Sequence, residues 1–308
     1  MKNVRKLSKF LSTKTRMDGL VRHVDVAQES AGVYVGRSLD LGWGRVYGGQ
    51  TMAQGLAACH RLIGPERTVH HVHSLFLRGG DVHQDLRFEA EQLAAGRSFS
   101  AVHVRALQGG KVVLAMTASL QAPESGFEHQ LGGLQPEWGR PDELRSIASH
   151  MAPHLDRVPA ALRGLYVEDM PLELRPSEFI APWDRAVRPP QRALWVRATT
   201  PLPDDPRLHQ RLLTYVSDWG MLETPLYAHD ALAWGREVQM ASLSHSLHFH
   251  QPFALDRQWL CHVVHSPVAS GGRGFALGQV WTEGGVLVAS TAQEGLIRPR
   301  PDGERVWG

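Results

Sequence analysis

Three sets of side chains in this 308-residue chain have types and spacings that could do chemistry. The first is Gln293, which with Glu294 closes the apolar run GVLVASTAQEG, Gly285 to Gly295. A buried amide left unpaired costs roughly 1–3 kcal/mol, so a carboxamide at that point must have partners to hold. The second set is histidine, concentrated in HHVHS (His70, His71, His73) and HSLHFH (His245, His248, His250). On a strand His248 and His250 share a face and His245 points the other way. No HExxH or histidine–carboxylate pattern supplies the further ligand a metal needs. Cross-strand polar pairs and surface positions are therefore expected, and no metal site. The third set is Arg97 and Arg273, each directly after a glycine in GRSFS and GRGFA. A guanidinium fork at such a turn suits anionic oxygens.

What is missing narrows the chemistry further. No GxSxG elbow occurs, which argues against an α/β-hydrolase. The two cysteines, Cys59 and Cys261, lie far apart and outside any CxxC pattern. That excludes a disulfide framework or a cysteine zinc site and fits a reducing compartment.

The elements that must position these residues recur in the sequence. HSLFL (His73–Leu77) is answered by HSLHF (His245–Phe249), GRSFS (Gly96–Ser100) by GRGFA (Gly272–Ala276), and GGKVVLAMTAS (Gly109–Ser119) by GGVLVASTAQE (Gly284–Glu294). The three matches keep their order and nearly their spacing, which implies a duplication of about 175 residues, too long for a solenoid repeat. It predicts two units of one fold, side by side. The first unit opens on strand-like GVYVGRSLDLG, then a helix in GGQTMAQGLAACHRLIG with Met52, Leu56, Cys59 and Ile63 on one face. Strands follow in HVHSLFLRG, DLRFEAEQLA, SFSAVHVRALQ and KVVLAMTASLQ. The second unit opens on RALWVRATT, continues with helical HQRLLTYVSDWGMLETPLYA, and adds VQMASLSHSLHFH, WLCHVVHSPVA, GFALGQVWTE and VLVASTAQEGLI. Turn residues between these runs mark antiparallel pairing, and a helix against four or five strands gives an α+β fold. The expected divisions are a basic N-terminal arm over 1–30, a first repeat over 31–121, a Pro- and Gly-rich connector over 122–190 and a second repeat over 191–300. The connector carries one helix signal, RPDELRSIASHM, with Pro141 suited to its first turn.

Charge and hydropathy exclude other classes. With 33 basic and 31 acidic residues the net charge is +2, which gives no general reason to expect nucleic acid as a partner. No apolar run approaches the ~18 residues of a membrane span. The first sixteen residues carry six basic groups and no acid. They lack the apolar core of a secretion signal and are expected to form a frayed arm, with the cytoplasm as the default location.

Taken together, LGWGRVYGGQTMAQGLAA, HSLFLRGGD, GRSFSAVHVRALQGGKVVLAMTASLQAPESGFEHQ, YVSDWG, SHSLHFHQPF and VLVASTAQEG resemble the acyl-CoA thioesterase II family, from about Val33 to Ile297. The resemblance implies a double hotdog, in which two curved antiparallel sheets each wrap a long helix. It implies hydrolysis of a fatty acyl-CoA thioester to free acid and CoA, without metal or redox cofactor, by a chain that associates into homo-oligomers. The family's catalytic aspartate, hydroxyl and glutamine, which hold a water, fall on Asp218 in YVSDWG, Ser242 in MASLSHS and Gln293 in STAQEG. Serine stands where threonine is often found, keeping the hydroxyl without the methyl that restricts its rotamer. Asp218 is then expected at the edge of the apolar stripe formed by Leu212, Tyr215, Val216, Trp219 and Leu222. Arg97 and Arg273 become candidates for the phosphates of CoA. In the repeat register Ala118 stands opposite Gln293, so one active site per chain is expected, in the second half and open to completion by the first. Two rivals remain: a hotdog enoyl-CoA hydratase, whose Asp-His dyad is not found, and a catalytically weak acyl-CoA-binding protein, which loss of Asp218 or Gln293 would have marked.

Overall fold

The computed structural model describes residues 13–167, 170–232 and 237–300. Twelve strands among them form one antiparallel sheet. From edge to edge it runs β1 (Ala27–Ser30), β2 (Val33–Gly36), β4 (Leu86–Ala95), β5 (Phe99–Gln108), β6 (Lys111–Gln121), β3 (Thr68–Phe76), β9 (Val238–Phe249), β12 (Leu287–Pro299), β11 (Arg273–Thr282), β10 (Leu260–Ser270), β8 (Gln191–Ala198) and β7 (Leu172–Pro176). The order is a palindrome. β2-β4-β5-β6-β3 on one side is answered outward from the centre by β9-β12-β11-β10-β8 on the other. The halves join where β3 pairs with β9, from His71 opposite His248 to Leu75 opposite Ser244.

Two long helices lie within this sheet, α2 (Gly48–Ile63) and α4 (Pro206–Ser217), and they pack on each other. The α2 face predicted from spacing is buried, with Met52, Leu56 and Cys59 fully covered. This is the α+β double hotdog. One apolar cluster runs through both halves, taking in Met52, Leu56, Val104 and Leu114 with Leu212, Leu213, Leu260 and Val280. The two expected units therefore share a single core, because the helices meet each other as well as their own strands.

Four expectations change on contact with the structure. The N-terminal arm is helical from Thr13 to His23 (α1), and its Met17, Leu20 and Val24 enter the core; residues 1–12 lie outside the described residues. Spacings of three and four put those three apolar groups on one face, a signal hidden among the basic residues. The connector's single helix is instead a 3₁₀ turn at Pro141–Glu143 followed by α3 (Ile147–Met151), since the Ser146 hydroxyl accepts from Ser149 N–H and starts the helix there. The opening strand of the first half stops at Gly36, after which Asp40 accepts the N–H groups of Gly42 and Gly44 in a turn. Finally, the HSLFL–HSLHF match does not align equivalent residues. His73 faces Ser246 across the seam and Ser74 faces His245, so the two histidines point to opposite sides of the sheet. A slip of one residue reverses every side chain of a strand.

The connector crosses the outer face of the second half, where Leu134, Trp138 and Leu144 pack on Trp195, Trp259, Cys261 and Trp281. The Trp195 indole N–H donates to Trp138 O at 3.1 Å.

Burial holds His60, His245 and His262 neutral, and the His262 imidazole is pushed down to about 3 by desolvation and by Arg192. The unfolded chain binds protons at these rings near pH 6.5 while the folded chain does not. Stability is thus fully present above that pH and falls as pH drops from 6.5 towards 3. At pH 5.5 His262 alone is expected to cost about 1 kcal/mol, read as a lower urea midpoint than at pH 7.5.

Candidate active site

Helix α4 starts on a self-contained cap: Asp205 accepts from Arg207 N–H at 3.0 Å and Pro206 takes the first helical position. It ends one residue before Asp218, earlier than its apolar pattern suggests. Asp218 is the C-terminal cap, and Gly220, at φ +73°, turns the chain away. Asp218 is thus carried on the rim of the helix instead of within it. Its carboxylate lies where the two halves meet, and β9 and β12 bring the other two expected residues to it.

The three side chains converge. Gln293 Nε2 donates to Asp218 Oδ1 at 2.9 Å and to Ser242 Oγ at 3.0 Å. Both amide hydrogens are then engaged, so Gln293 aims Asp218 and Ser242 at a common point. Gln293 is 2% exposed. Asp218, Ser242 and Gln293 line one cleft, with an empty volume of about 490 Å³, together with Trp43, Tyr47, Trp219, Gly220, Leu222, Glu223 and Met240.

The first half completes this arrangement. Asp218 Oδ2 accepts from Gly49 N–H at 3.0 Å, in the first turn of α2. That helix has no side-chain cap of its own, because Tyr47 occupies the N-cap position. The carboxylate of the other half takes the place of a capping oxygen and neutralises the positive end of the helix. Two glycines are needed for it to approach. A Cβ on Gly48 would lie 2.8 Å from Asp218 Oδ2, and one on Gly49 would lie 2.2 Å from Tyr215 O. The clue in the sequence was a helix opening on Gly-Gly with no Ser, Thr, Asp or Asn ahead of it.

Sequence reasoning also missed the role of His245, which is fully buried. Its Nδ1 lies 2.7 Å from Gln293 Oε1 and its Nε2 lies 3.1 Å from Ser217 Oγ. Desolvation keeps the ring neutral against the pull of Asp218. Gln293 Oε1 can only accept, so the single ring proton sits on Nδ1, and Nε2 is an acceptor that shares the Ser217 hydroxyl proton with Thr214 O at 3.0 Å. This fixes which end of the Gln293 amide faces Asp218. The available signal was phase: His245, Leu247 and Phe249 alternate on the buried face of β9.

The other histidines pair across strands as expected, His70 with Ser119, His73 with Ser246 and His262 with Thr291, while His71 and His248 stack at 4.1 Å. Among the described residues no cluster of His, Cys, Asp or Glu could hold a metal ion. The two arginines are not brought to Asp218, Ser242 and Gln293. Arg273 is half exposed and paired with Glu294 at 2.9 Å. Arg97 is exposed on the β4–β5 turn, with β6 and β3 lying between those strands and β9.

Comparison with known proteins places these features in a lineage. The family model described as "Acyl-CoA thioesterase" matches residues 162–296, and "Acyl-CoA thioesterase N-terminal domain" matches 39–121. Acyl-CoA thioesterase 2 of Haemophilus influenzae is 35% identical over 266 residues, 86% of this chain and 92% of that protein. Human acyl-coenzyme A thioesterase 8 is 34% identical, over 83% of this chain and 82% of its own. The crystal structure of acyl-CoA thioesterase II TesB2 from Mycobacterium marinum superposes with a TM-score of 0.73 at 30% identity, covering 93% of this chain and 99% of that one. A hot dog fold protein from Alicyclobacillus acidocaldarius, 19% identical with a TM-score of 0.72, shares the fold. It covers 92% of this chain and 98% of its own.

Two alanine substitutions with opposite signs test the packing around Asp218. Gly49→Ala is expected to destabilise by about 1–3 kcal/mol through overpacking, despite alanine's better helix propensity. Gly19→Ala, in α1 with open space where its Cβ would stand, is expected to stabilise by about 0.5–1 kcal/mol. Urea denaturation of both variants checks the contrast.

Proposed function

This chain belongs to the acyl-CoA thioesterase family, and from that premise we propose that it hydrolyses acyl-CoA by water attack at the Asp218–Ser242–Gln293 cleft. The observation that carries the proposal is the convergence of these three polar groups, 2.9 and 3.0 Å apart through one amide, in a cleft. A thioester carbonyl is less stabilised by resonance than an ester's and its thiolate leaves readily, so water can attack without a covalent intermediate. Ser242 accepts from Gln293, which leaves its own O–H free to donate to a water oxygen. Asp218 has lone pairs beyond those used by Gly49 and Gln293 and accepts a proton from that water. The water oxygen bonds to the carbonyl carbon while the C=O electron pair moves onto oxygen. That pair then returns, the C–S bond breaks, and the thiolate takes the proton held by Asp218 and leaves as CoA, with the acid as second product. Holding water and acceptor in place replaces a chance encounter.

A second cavity adjoins the cleft and shares Trp219 and Glu223 with it. Ile147, Met151, Phe179, Ile180, Leu226 and Leu232 give it apolar walls. Its charged lining is paired: Arg188 with Asp184 at 2.9 Å, and Arg192 beside Glu223 at 3.8 Å. We assign it to the acyl chain. The CoA end then lies towards solvent, where Arg97 and Arg273 remain candidates for its phosphates.

Thiol release from acyl-CoAs of graded length tests these roles. Asp218→Asn is expected to lower kcat by about 100-fold or more, and a rate near that of the wild type would refute the base assignment. Ile180→Trp is expected to reduce kcat/KM for long chains by at least about tenfold while sparing acetyl-CoA. An equal loss at every length would remove the cavity from the account. His245→Ala is expected to reduce kcat by about tenfold or more. His245→Asn, which keeps an N–H near the Nδ1 position, should recover much of it.

A further inference from the structure

Arg192, on β8, is a largely buried cation that is only loosely paired among the described residues. Its side chain is 12% exposed, and its ion pair with Glu223 Oε2, 3.8 Å from Nη1, is too long for a hydrogen bond. Other well-covered arginines hold their acceptors closely. Arg188 donates to Asp184 at 2.9 Å, Arg175 to Pro141 O at 2.6 Å and Arg211 to Asp25 at 3.3 Å. A guanidinium withdrawn from water without such partners is costly, so its position calls for a reason.

The guanidinium lies against the chain just past Asp218. A Cβ on Gly220 would meet Arg192 Nη1 and lie 2.6 Å from its Cζ, so the group packs where a side chain would stand. Gly220, at φ +73°, is the residue that turns the chain out of α4. The turn is closed by Glu223 N–H and Thr224 Oγ1, which donate to Gly220 O at 3.2 and 3.3 Å. Met221 is fully buried there with Val264 and Ala276, and Val264 stands directly opposite Arg192 in the β8–β10 pairing. Residues paired in this way share a face of the sheet. The turn is therefore docked on that face at two points, an apolar one at Met221 and a cationic one at Gly220 and Glu223.

Other sides of the turn face open space. Asp218, Trp219, Gly220, Leu222 and Glu223 line the cleft, and Trp219 and Glu223 also line the second cavity. A wall between two cavities has few packing neighbours, so the contacts with the sheet must hold it.

We propose that Arg192 is a positioning residue, which clamps the turn after α4 onto β8 and so keeps Asp218 between Gly49 N–H and the Gln293 amide. This rests on the thioesterase function proposed above, with Asp218 as its base. Arg192 is not among the residues that line the cleft, so it acts through the backbone of residues 218–223. A reacting group misplaced by about 1 Å loses on the order of 100-fold in rate, and a slackened turn is expected to cost about tenfold. Binding is spread over many contacts while proton transfer needs one geometry, so the loss falls on kcat more than on KM.

Arg192→Met keeps the apolar stem and removes the charge. Thiol release is measured over a range of acyl-CoA concentration, with circular dichroism showing that the variant is folded. The expected kcat is about tenfold lower, with KM within about twofold of wild type. Arg192→Lys, whose ammonium reaches about as far as Cζ, should recover most of the loss. Arg207→Met loosens the opposite end of α4, and is expected to lower the thermal midpoint while kcat stays within about twofold. Should Arg192→Met not fold, Arg192→Lys is compared with Arg192→Gln, and the lysine variant is expected to be faster by about threefold or more. The proposal is overturned if kcat of Arg192→Met lies within twofold of wild type, or if KM alone rises. It is overturned equally by a lysine variant no faster than the uncharged one, or by the same loss of kcat in Arg207→Met. A wild-type protein that releases no thiol from any acyl-CoA would instead defeat the underlying thioesterase function, so the two failures are distinguishable.

Discussion

Asp218 caps a helix that belongs to the other half of the molecule. One oxygen takes Gly49 N–H at the start of α2, and the other takes the Gln293 amide from β12. Most else at the site follows from this carboxylate having two allegiances. Helix α4 must end at Ser217 to present it, α2 must begin without a capping side chain to receive it, and β12 must carry an amide on its buried face. The carboxylate in turn complements the positive end of α2. The same bond that caps a helix of the first half therefore orients the carboxylate to which catalysis is proposed in the second.

Such an arrangement runs against local preference. Two glycines at the start of a helix cost about 1 kcal/mol each relative to alanine, and Tyr47 is a poor cap. His245 and Gln293 are polar groups in an otherwise apolar layer. They are tolerated because the chain Ser217–His245–Gln293–Asp218–Gly49 is satisfied at each link. Removing any member leaves its neighbour buried and unpaired, which costs more than the bond itself contributes. The departures from ordinary helix and strand composition mark the site more sharply than any single motif does.

Much of this was legible in the sequence. Alternating strands, the Gly-Gly helix start and the repeated segments gave an α+β duplication, and the resemblance pointed to Asp218, Ser242 and Gln293, which the fold gathers. The failures share one cause, that periodicity along the chain carries no information about long-range partners. The apolar stripe Leu212–Leu222 continues past Ser217, and the local stop signal, Gly220, was masked by it. The identity of HSLFL and HSLHF concealed a reversal of face, because a text match ignores the side-chain phase of a strand. Residues 13–24 looked like a solvated arm until Met17, Leu20 and Val24 found a core to enter. The Asp218–Gly49 bond spans 169 residues and could be read only in three dimensions.

The duplication also accounts for the proposed site lying at one helix junction and not at the other. With α2 and α4 packed together, each helix start lies near the end of its partner. At one junction the end of α4 supplies an acid to the start of α2. At the other, the start of α4 supplies Arg207, which donates to His60 O at 2.9 Å and to Arg67 O at 3.0 Å. A guanidinium satisfies carbonyls at the negative end of α2 as well as a carboxylate serves its positive end. Helix α4, capped by its own Asp205, needs no acid from across the interface. Ala118, buried where the repeat register sets Gln293, then has no carboxylate to aim. Each junction is electrostatically matched, but only the junction closed by an acid and an amide offers the groups that the proposed water attack needs, so the asymmetry of the proposed site follows from which sign of charge closes each helix.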